Sequence, residues 1–274
     1  MSGVPVAAKI NLALLVGTRR EDGLHEVATV LQRIDLCDRL QLSPAPALRI
    51  TGFPGDTLVR RALAELAAAA GVEPRWGARL LKRIPVASGL GGGSADAAAA
   101  LSLANASLPA PLPRGRLLEL AARIGSDVPF FLEPGPKLAE GAGERLTPLD
   151  LPQDFWVVVA LPRRARKTAT GAVYRRFDEL GSAPGFARRK EELLAALASC
   201  RRARDLAAFP PNDLAAAAGR PSLVDALLAA GAFRADVSGA GPAVYGLFLQ
   251  RPDAARAARA ARAAARVWVS APVW

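Results

Sequence analysis

Gly89, Gly91, Gly92 and Gly93 fall within five residues, and beyond Ser94 the sequence becomes a strong helix former from Ala97 to Leu103. No other stretch constrains the chain as much. Without side chains the backbone approaches a ligand closely, and glycine admits the positive-φ conformations that turn successive N–H groups inward. The first turn of the helix adds N–H groups without intrahelical partners and the positive end of the macrodipole. Pro85, Val86, Ala87, Ser88, Gly89, Leu90, Gly91, Gly92, Gly93, Ser94 and Ala95 therefore read as an anion cradle, and the usual anion is phosphate. Such glycines also make linkers and tight turns, but linkers rarely run straight into a helix with Ser at its start.

Two better-known glycine motifs do not fit. A Walker-type loop ends in Gly-Lys-Ser/Thr, whereas Gly93 is followed directly by Ser94. A dinucleotide fingerprint needs an acid about 20 residues onward, where this chain has a proline-rich loop around Pro109.

Around the loop, strands and helices can be placed by periodicity. Val6, Ile10, Leu12, Leu14 and Val16 alternate along a strand from Val4 to Val16, leaving Lys9 and Asn11 on the face open to solvent or a ligand. Asp22-Gly23 turns a polar hairpin. A half-buried strand follows over Glu26–Ile34, then two short ones over Asp38–Ile50. Thr57–Ala70 is an amphipathic helix, and Trp76–Ile84 a strand delivered into the glycine loop. Helices are expected at Ala95–Asn105 and Arg114–Ile124, with an acid-bearing turn at Gly125–Phe131. The prolines near Thr147–Gln153 divide the chain into domains at 1–150 and 151–274. At 274 residues the chain suits one large domain or two of ordinary size, and 51% hydrophobic content supports a real core. Beyond the boundary, strands at Phe155–Leu161, Ala235–Ser238, Val244–Leu249 and Val267–Val269 alternate with helices at Thr170–Leu180, Arg188–Ala198, Leu223–Gly231 and Ala254–Arg266. This is an α/β chain whose C-terminal half is an α+β sandwich.

Charge and cysteine content narrow the classes. Residues 1–150 carry 17 Lys+Arg against 15 Asp+Glu, or +2, and residues 151–274 carry 19 against 10, or +9. A basic half suits nucleic acid or an anionic small molecule. Arg256, Arg259, Arg262 and Arg266 could face nucleic acid, but the alanines between them suggest the solvated side of a helix. No aromatic-basic ribonucleoprotein motif accompanies them. Cys37 and Cys200 match no metal spacing and suit a reduced, cytoplasmic protein. No secretory leader is expected at the N-terminus, and no uncharged apolar run approaches the roughly 18 residues of a membrane span.

Four pieces require one explanation: Ala8-Lys9-Ile10-Asn11-Leu12, the loop at 85–95, Asp127 before Val128-Pro129-Phe130-Phe131, and Ser238-Gly239-Ala240-Gly241-Pro242. In this order they resemble the GHMP small-molecule kinase superfamily over nearly the whole chain. Asp22-Gly23-Leu24-His25-Glu26 is similar to its branch acting on a cytidine-diphosphate-linked methylerythritol in the non-mevalonate isoprenoid pathway. The resemblance implies two domains, the first like ribosomal protein S5 domain 2 and the second a ferredoxin-like α+β domain. It also implies ATP and Mg²⁺ as cofactors, a monomer or weak dimer, and no nucleic-acid or membrane partner. The reaction implied is phosphorylation of the acceptor's 2-hydroxyl.

The resemblance also distributes roles. Asp127 is the general base for the attacking hydroxyl, and Lys9 either pairs with it or lies against the transferring phosphoryl group. Alone, Asp127 reads as an N-cap or turn acid and Lys9 as an exposed strand lysine. Lys82 is implied beside the adenine, and the loop residues Pro85 to Ala95 around the triphosphate. Asn11, His25, Thr170 and Tyr174 are implied to contact substrate, with His25 on the cytosine edge and Tyr174 stacking on the base. Ser94 could approach magnesium, but no carboxylate partner is evident. The chain departs from the family's pattern at Leu24, where Tyr is common, and at Ala240 and Ala243, which replace hydroxyl residues. Sister kinases for homoserine, mevalonate or galactose remain alternatives, and the segment Asp22–Glu26 separates them.

Overall fold

The computed structural model describes residues 3–53, 55–164, 169–181, 184–219 and 222–274. They form two compact units, one from Met1–Ala8, Leu36–Val86 and Gly91–Pro134, the other from Lys9–Asp35, Ala87–Leu90 and Gly135–Trp274. Strands β1 (Val4–Arg19) and β2 (His25–Pro44) contribute residues to both. The expected break after Ile34 does not occur, and β2 runs 20 residues unbroken. The reason is phase: Ile34, Leu36, Asp38 and Leu40 are all buried, so an acid occupies a core position in a period-2 strand.

In the first unit, β2 is followed by β3 (Arg49–Thr51), α1 (Leu58–Ala70), β4 (Trp76–Leu81), α2 (Gly92–Ala106), α3 (Arg114–Ile124) and the short α4 (Val128–Leu132). β4 pairs antiparallel with the far half of β2, from Arg39↔Leu81 to Pro44↔Trp76, and parallel with β3. The core gathers Leu63 and Leu66 of α1, Ala97, Ala98 and Leu101 of α2, Leu120 of α3 and Leu80 of β4. α2 is buried along most of its length, and its alanines suit that, because small side chains let neighbouring helices approach closely. Gly71 ends α1 in the left-handed conformation, as its place after the last alanine predicts.

The second unit continues with β5 (Lys137–Gly141), β6 (Arg145–Pro148), β7 (Trp156–Pro162), α5 (Thr170–Glu179), α6 (Phe186–Ser199), α7 (Leu223–Ala229), β8 (Arg234–Val237), β9 (Val244–Phe248), α8 (Arg251–Ala261), β10 (Ala265–Ser270) and β11 (Pro272–Val273). β5 pairs with the near half of β2, β6 with β5, and β11 returns to β2 at Pro272↔Ile34. A separate antiparallel sheet runs in the order β10-β7-β9-β8. Val158, Ala160 and Val244 of that sheet share a core with Leu223, Val224 and Leu227 of α7 and Ala254 and Ala257 of α8. Ala254, Ala257, Ala258 and Ala261 of α8 are buried while Arg256 and Arg259 are exposed, which is the solvated-face arrangement. Cys37 and Cys200 are in no disulfide, and burial pushes the Cys200 thiol up. Among the described residues no helix is long and apolar enough to cross a membrane.

Candidate active site

Lys9 and Asn11 are two residues apart on β1 and share one of its faces. That face is not open: both residues are 3% exposed, because β1 is covered on both sides from Ala8 to Gly17. Burying an ammonium and an amide is costly unless each is hydrogen-bonded. Lys9 Nζ donates to Asn11 Oδ1 at 2.6 Å, and Asn11 Nδ2 donates to Thr29 Oγ1 at 2.8 Å. The Thr29 hydroxyl then donates to the Ala13 carbonyl at 2.6 Å. This relay fixes the amide's orientation and holds the ammonium at a set point. Gly239 closes over this pair: a Cβ there would lie 3.4 Å from both Lys9 Nζ and Asn11 Oδ1, and its φ of +55° is what favours glycine.

The second glycine loop also meets part of the first. Ser238 Oγ donates to the Gly89 carbonyl at 2.9 Å, and the Ala243 N–H donates to the Ser88 carbonyl at 2.9 Å. Gly89 has φ +88°, and a Cβ there would lie 2.0 Å from the Ser238 carbonyl oxygen. The Lys9 N–H donates to the Leu90 carbonyl at 3.0 Å. Parts of three separate motifs, residues 9–12, 87–90 and 238–242, therefore converge within the second unit. Asn212 anchors them, donating from Nδ2 to the carbonyls of Val237 at 2.9 Å and Gly239 at 2.7 Å. Sequence reasoning missed Thr29 and Asn212. The only signal for Asn212 was Pro210-Pro211-Asn212-Asp213, which reads as a plain loop.

His25, buried at 8% exposure, begins β2. Its Nε2 lies 2.8 Å from Asp178 Oδ1, its ring is 5.0 Å from that of Tyr174 at 32°, and Phe177 meets it edge-on at 6.3 Å. Thr170, Tyr174 and Asp178 recur every four residues on α5 and so share its face. Of the residues singled out in sequence, His25 and Tyr174 come together; Thr170 is exposed at the first turn. Leu24 projects outward at 54% exposure.

In the first unit, Gly91 enters α2 at φ +70°, no side chain caps the helix, and its first turn holds no acid. Such an N-terminus presents backbone donors to an anion. Gly92 and Gly93 have packing reasons of their own, since a Cβ would lie 2.9 Å from Ile84 Cγ2 and 3.1 Å from Leu58 Cδ1 respectively. Ser94 sits half-buried in the first turn. Asp127 precedes α4 at the N-cap position, and its side chain makes no cap hydrogen bond. Lys82 Nζ donates to Asp38 Oδ2 and, at 2.5 Å, to Asp96 Oδ2. Burial alone would lower the Lys82 pKa, but Asp96 and Asp38 outweigh it and hold the ammonium above its ordinary value. Burial pushes Asp96 up to about 7, with Lys82 opposing and Asp38 adding to the rise. Among the described residues no group of three or more His, Cys, Asp or Glu is placed to hold a metal ion.

An uncapped glycine-led helix beside a helix-backed sheet, with a second unit built on an antiparallel sheet, is the architecture of GHMP small-molecule kinases. The family model for GHMP kinases N terminal domain matches residues 57–135, and that for GHMP kinases C terminal matches residues 221–268. A 4-diphosphocytidyl-2-C-methyl-D-erythritol kinase of Anaeromyxobacter sp. (strain Fw109-5) is 41% identical over 92% of this chain and 84% of its own. One of Geobacter sulfurreducens is 38% identical over 97% and 96%. A crystal structure of a 4-(cytidine 5'-diphospho)-2C-methyl-D-erythritol kinase superposes with a TM-score of 0.81 at 36% identity, covering 99% of each chain. Homoserine kinase from Cytophaga hutchinsonii has the same fold, with a TM-score of 0.72 at 18% identity. The chain belongs to the GHMP kinases, in the family of the 4-diphosphocytidyl-2-C-methyl-D-erythritol kinases.

Proposed function

We propose that this protein transfers the γ-phosphoryl group of ATP to the 2-hydroxyl of 4-diphosphocytidyl-2-C-methyl-D-erythritol, a step of the non-mevalonate isoprenoid pathway. The observation that carries this is the identity of 38% over 97% of the chain to a kinase of that name, which extends through the His25 segment as well as the loop.

Phosphoryl transfer asks little covalent work of a protein, so positioning and charge stabilisation dominate. Residues 85–95 cradle the triphosphate with backbone N–H groups, and Lys82 lies by the adenine. The acceptor oxygen attacks the γ-phosphorus as the bond to the β–γ bridging oxygen breaks, and Asp127 takes the hydroxyl proton. Lys9, held by Asn11, offsets charge on the transferring group. His25 and Tyr174 read and stack the cytosine, with Asn11 and Thr170 as further substrate contacts.

The donor set fits a magnesium ion carried by the nucleotide, with the Ser94 hydroxyl as the protein's own candidate ligand; the ion would neutralise phosphate charge. The domain division at 1–150 and 151–274 belongs to the same proposal, supported by family models that fall on either side of it. So do a cytoplasmic site, favoured by two cysteines in no disulfide, and a monomer or weak dimer. The test is ATP consumption with a panel of acceptors, with ³¹P spectra of the product. Turnover of the cytidine compound alone is expected. Turnover of mevalonate, homoserine or galactose instead would keep the loop and discard the cytosine pocket.

A further inference from the structure

Asp38 is fully buried in β2, yet phosphoryl transfer as derived above gives it no part. Its carboxylate gathers three consecutive residues. Oδ1 accepts the backbone N–H of Arg83, and that of Ile84 at 2.8 Å, while Oδ2 accepts Lys82 Nζ. Those residues are the link between the end of β4 and Pro85, where the loop begins.

The same link touches the far end of the loop. The Ile84 side chain fills the space where a Cβ on Gly92 would stand, 2.9 Å away, and Lys82 Nζ lies 3.3 Å from that point. Lys82 also bonds Asp96, the fifth residue of α2. Entry and exit of the loop are thus tied through one ammonium and two carboxylates that are each 0% exposed.

As a stability device the arrangement is poor. Two carboxylates oppose one ammonium, and Asp96 Oδ1 is buried without a hydrogen-bond partner among the described residues. Removing a second charge from water is expensive, and an orphaned buried oxygen adds to the cost. A single ion pair would anchor Lys82 with less penalty.

We propose that Asp38 and Asp96 are positioning residues for nucleotide binding, setting the separation of the two ends of the glycine loop through Lys82 and the 83–84 backbone. This rests on residues 85–95 being the nucleotide loop.

The experiment uses the full chain, calorimetric binding of a non-hydrolysable ATP analogue, and steady-state kinetics. Asp38→Asn retains an oxygen for the two backbone donors but turns an amide towards Lys82. It should raise KM for ATP by about tenfold or more, with kcat and the acceptor KM little changed. Asp96→Ala removes one of the two carboxylates that hold Lys82 and should likewise raise KM for ATP by about tenfold, with kcat and the acceptor KM little changed. Folded Asp38→Asn or folded Asp96→Ala with an unchanged KM for ATP would overturn the proposal. If Asp38→Asn does not fold, Asp96→Ala decides. A wild type that binds no nucleotide would show instead that the loop reading itself is wrong.

Discussion

Asp178 Oδ1 lies 2.8 Å from His25 Nε2, joining residues 153 apart in the chain. A carboxylate can only accept, so Nε2 carries a proton, and the tautomer this selects offers Nδ1 as an acceptor. An acceptor suits an exocyclic amine such as that of cytosine and rejects the keto oxygen of uracil. Asp178→Ala should therefore raise KM for the cytidine substrate by about tenfold, leave KM for ATP unchanged, and narrow the preference over a uridine analogue. An unchanged acceptor KM would place His25 outside the base pocket.

The contact between the two glycine loops makes Gly89 a demanding position. Alanine there needs φ +88° and puts a methyl 2.0 Å from the backbone oxygen of Ser238. Neither atom sits on a flexible side chain, so strain and displacement add. Gly89→Ala should cost about 3 kcal/mol or more in urea denaturation. A loss below about 1 kcal/mol would mean that the loops part easily.

How much of this could be read from the residues depends on whether the cause was local. The loop and its helix were legible because glycine chemistry and alanine propensity are properties of neighbours in sequence. So was the Asp22-Gly23 turn, with Gly23 at φ +81° and the Leu24 N–H donating to Asp22 Oδ1 at 2.9 Å. Lys9 and Asn11 were found as candidates, but their burial was not, because alternation shows one covered face and cannot show what covers the other. The role of Asp38 was not legible, since its partners, Arg83 and Ile84, are some 45 residues away. Asp178 and Thr29 were likewise invisible, each defined only by a tertiary partner.

Asp96 gives the stability curve a sign. Its folded-state pKa of about 7 lies above the ordinary 3.8, so the folded protein binds that proton more tightly than the unfolded chain does. The stability this contributes is fully present below about pH 4 and is lost as pH rises towards 7. Relative to Asp96→Asn, the wild type should become progressively less stable from pH 4 to 7 and hold a constant difference above about pH 8. Thermal melts of both proteins across that range provide the check, and parallel curves would mean that Asp96 ionises normally.

Ala87 is the one non-glycine residue with positive φ among the described residues, at 52°. The left-handed conformation costs about 1–2 kcal/mol for a residue with a Cβ. Glycine would remove that strain while adding about 0.4–1 kcal/mol of unfolded-chain entropy. Ala87→Gly should therefore stabilise the protein by about 0.5–1 kcal/mol, read as a rise in Tm of about 1–4 °C. A fall in Tm would mean that the alanine methyl makes packing contacts worth more than the strain.

Asp127 separates positioning from proton transfer most directly. Its side chain does not cap α4, so replacing it by Asn removes no cap hydrogen bond. If the carboxylate takes the acceptor's proton, Asp127→Asn lowers kcat by about 10² or more, while binding of both substrates persists. The assay is single-turnover phosphorylation with nucleotide and acceptor both saturating, which isolates the chemical step from product release. A rate within about threefold of wild type would remove the general base from the mechanism. Because the transition state of phosphoryl transfer is loose, the attacking hydroxyl can keep its proton until late, and Asp127 would then act by orienting that hydroxyl.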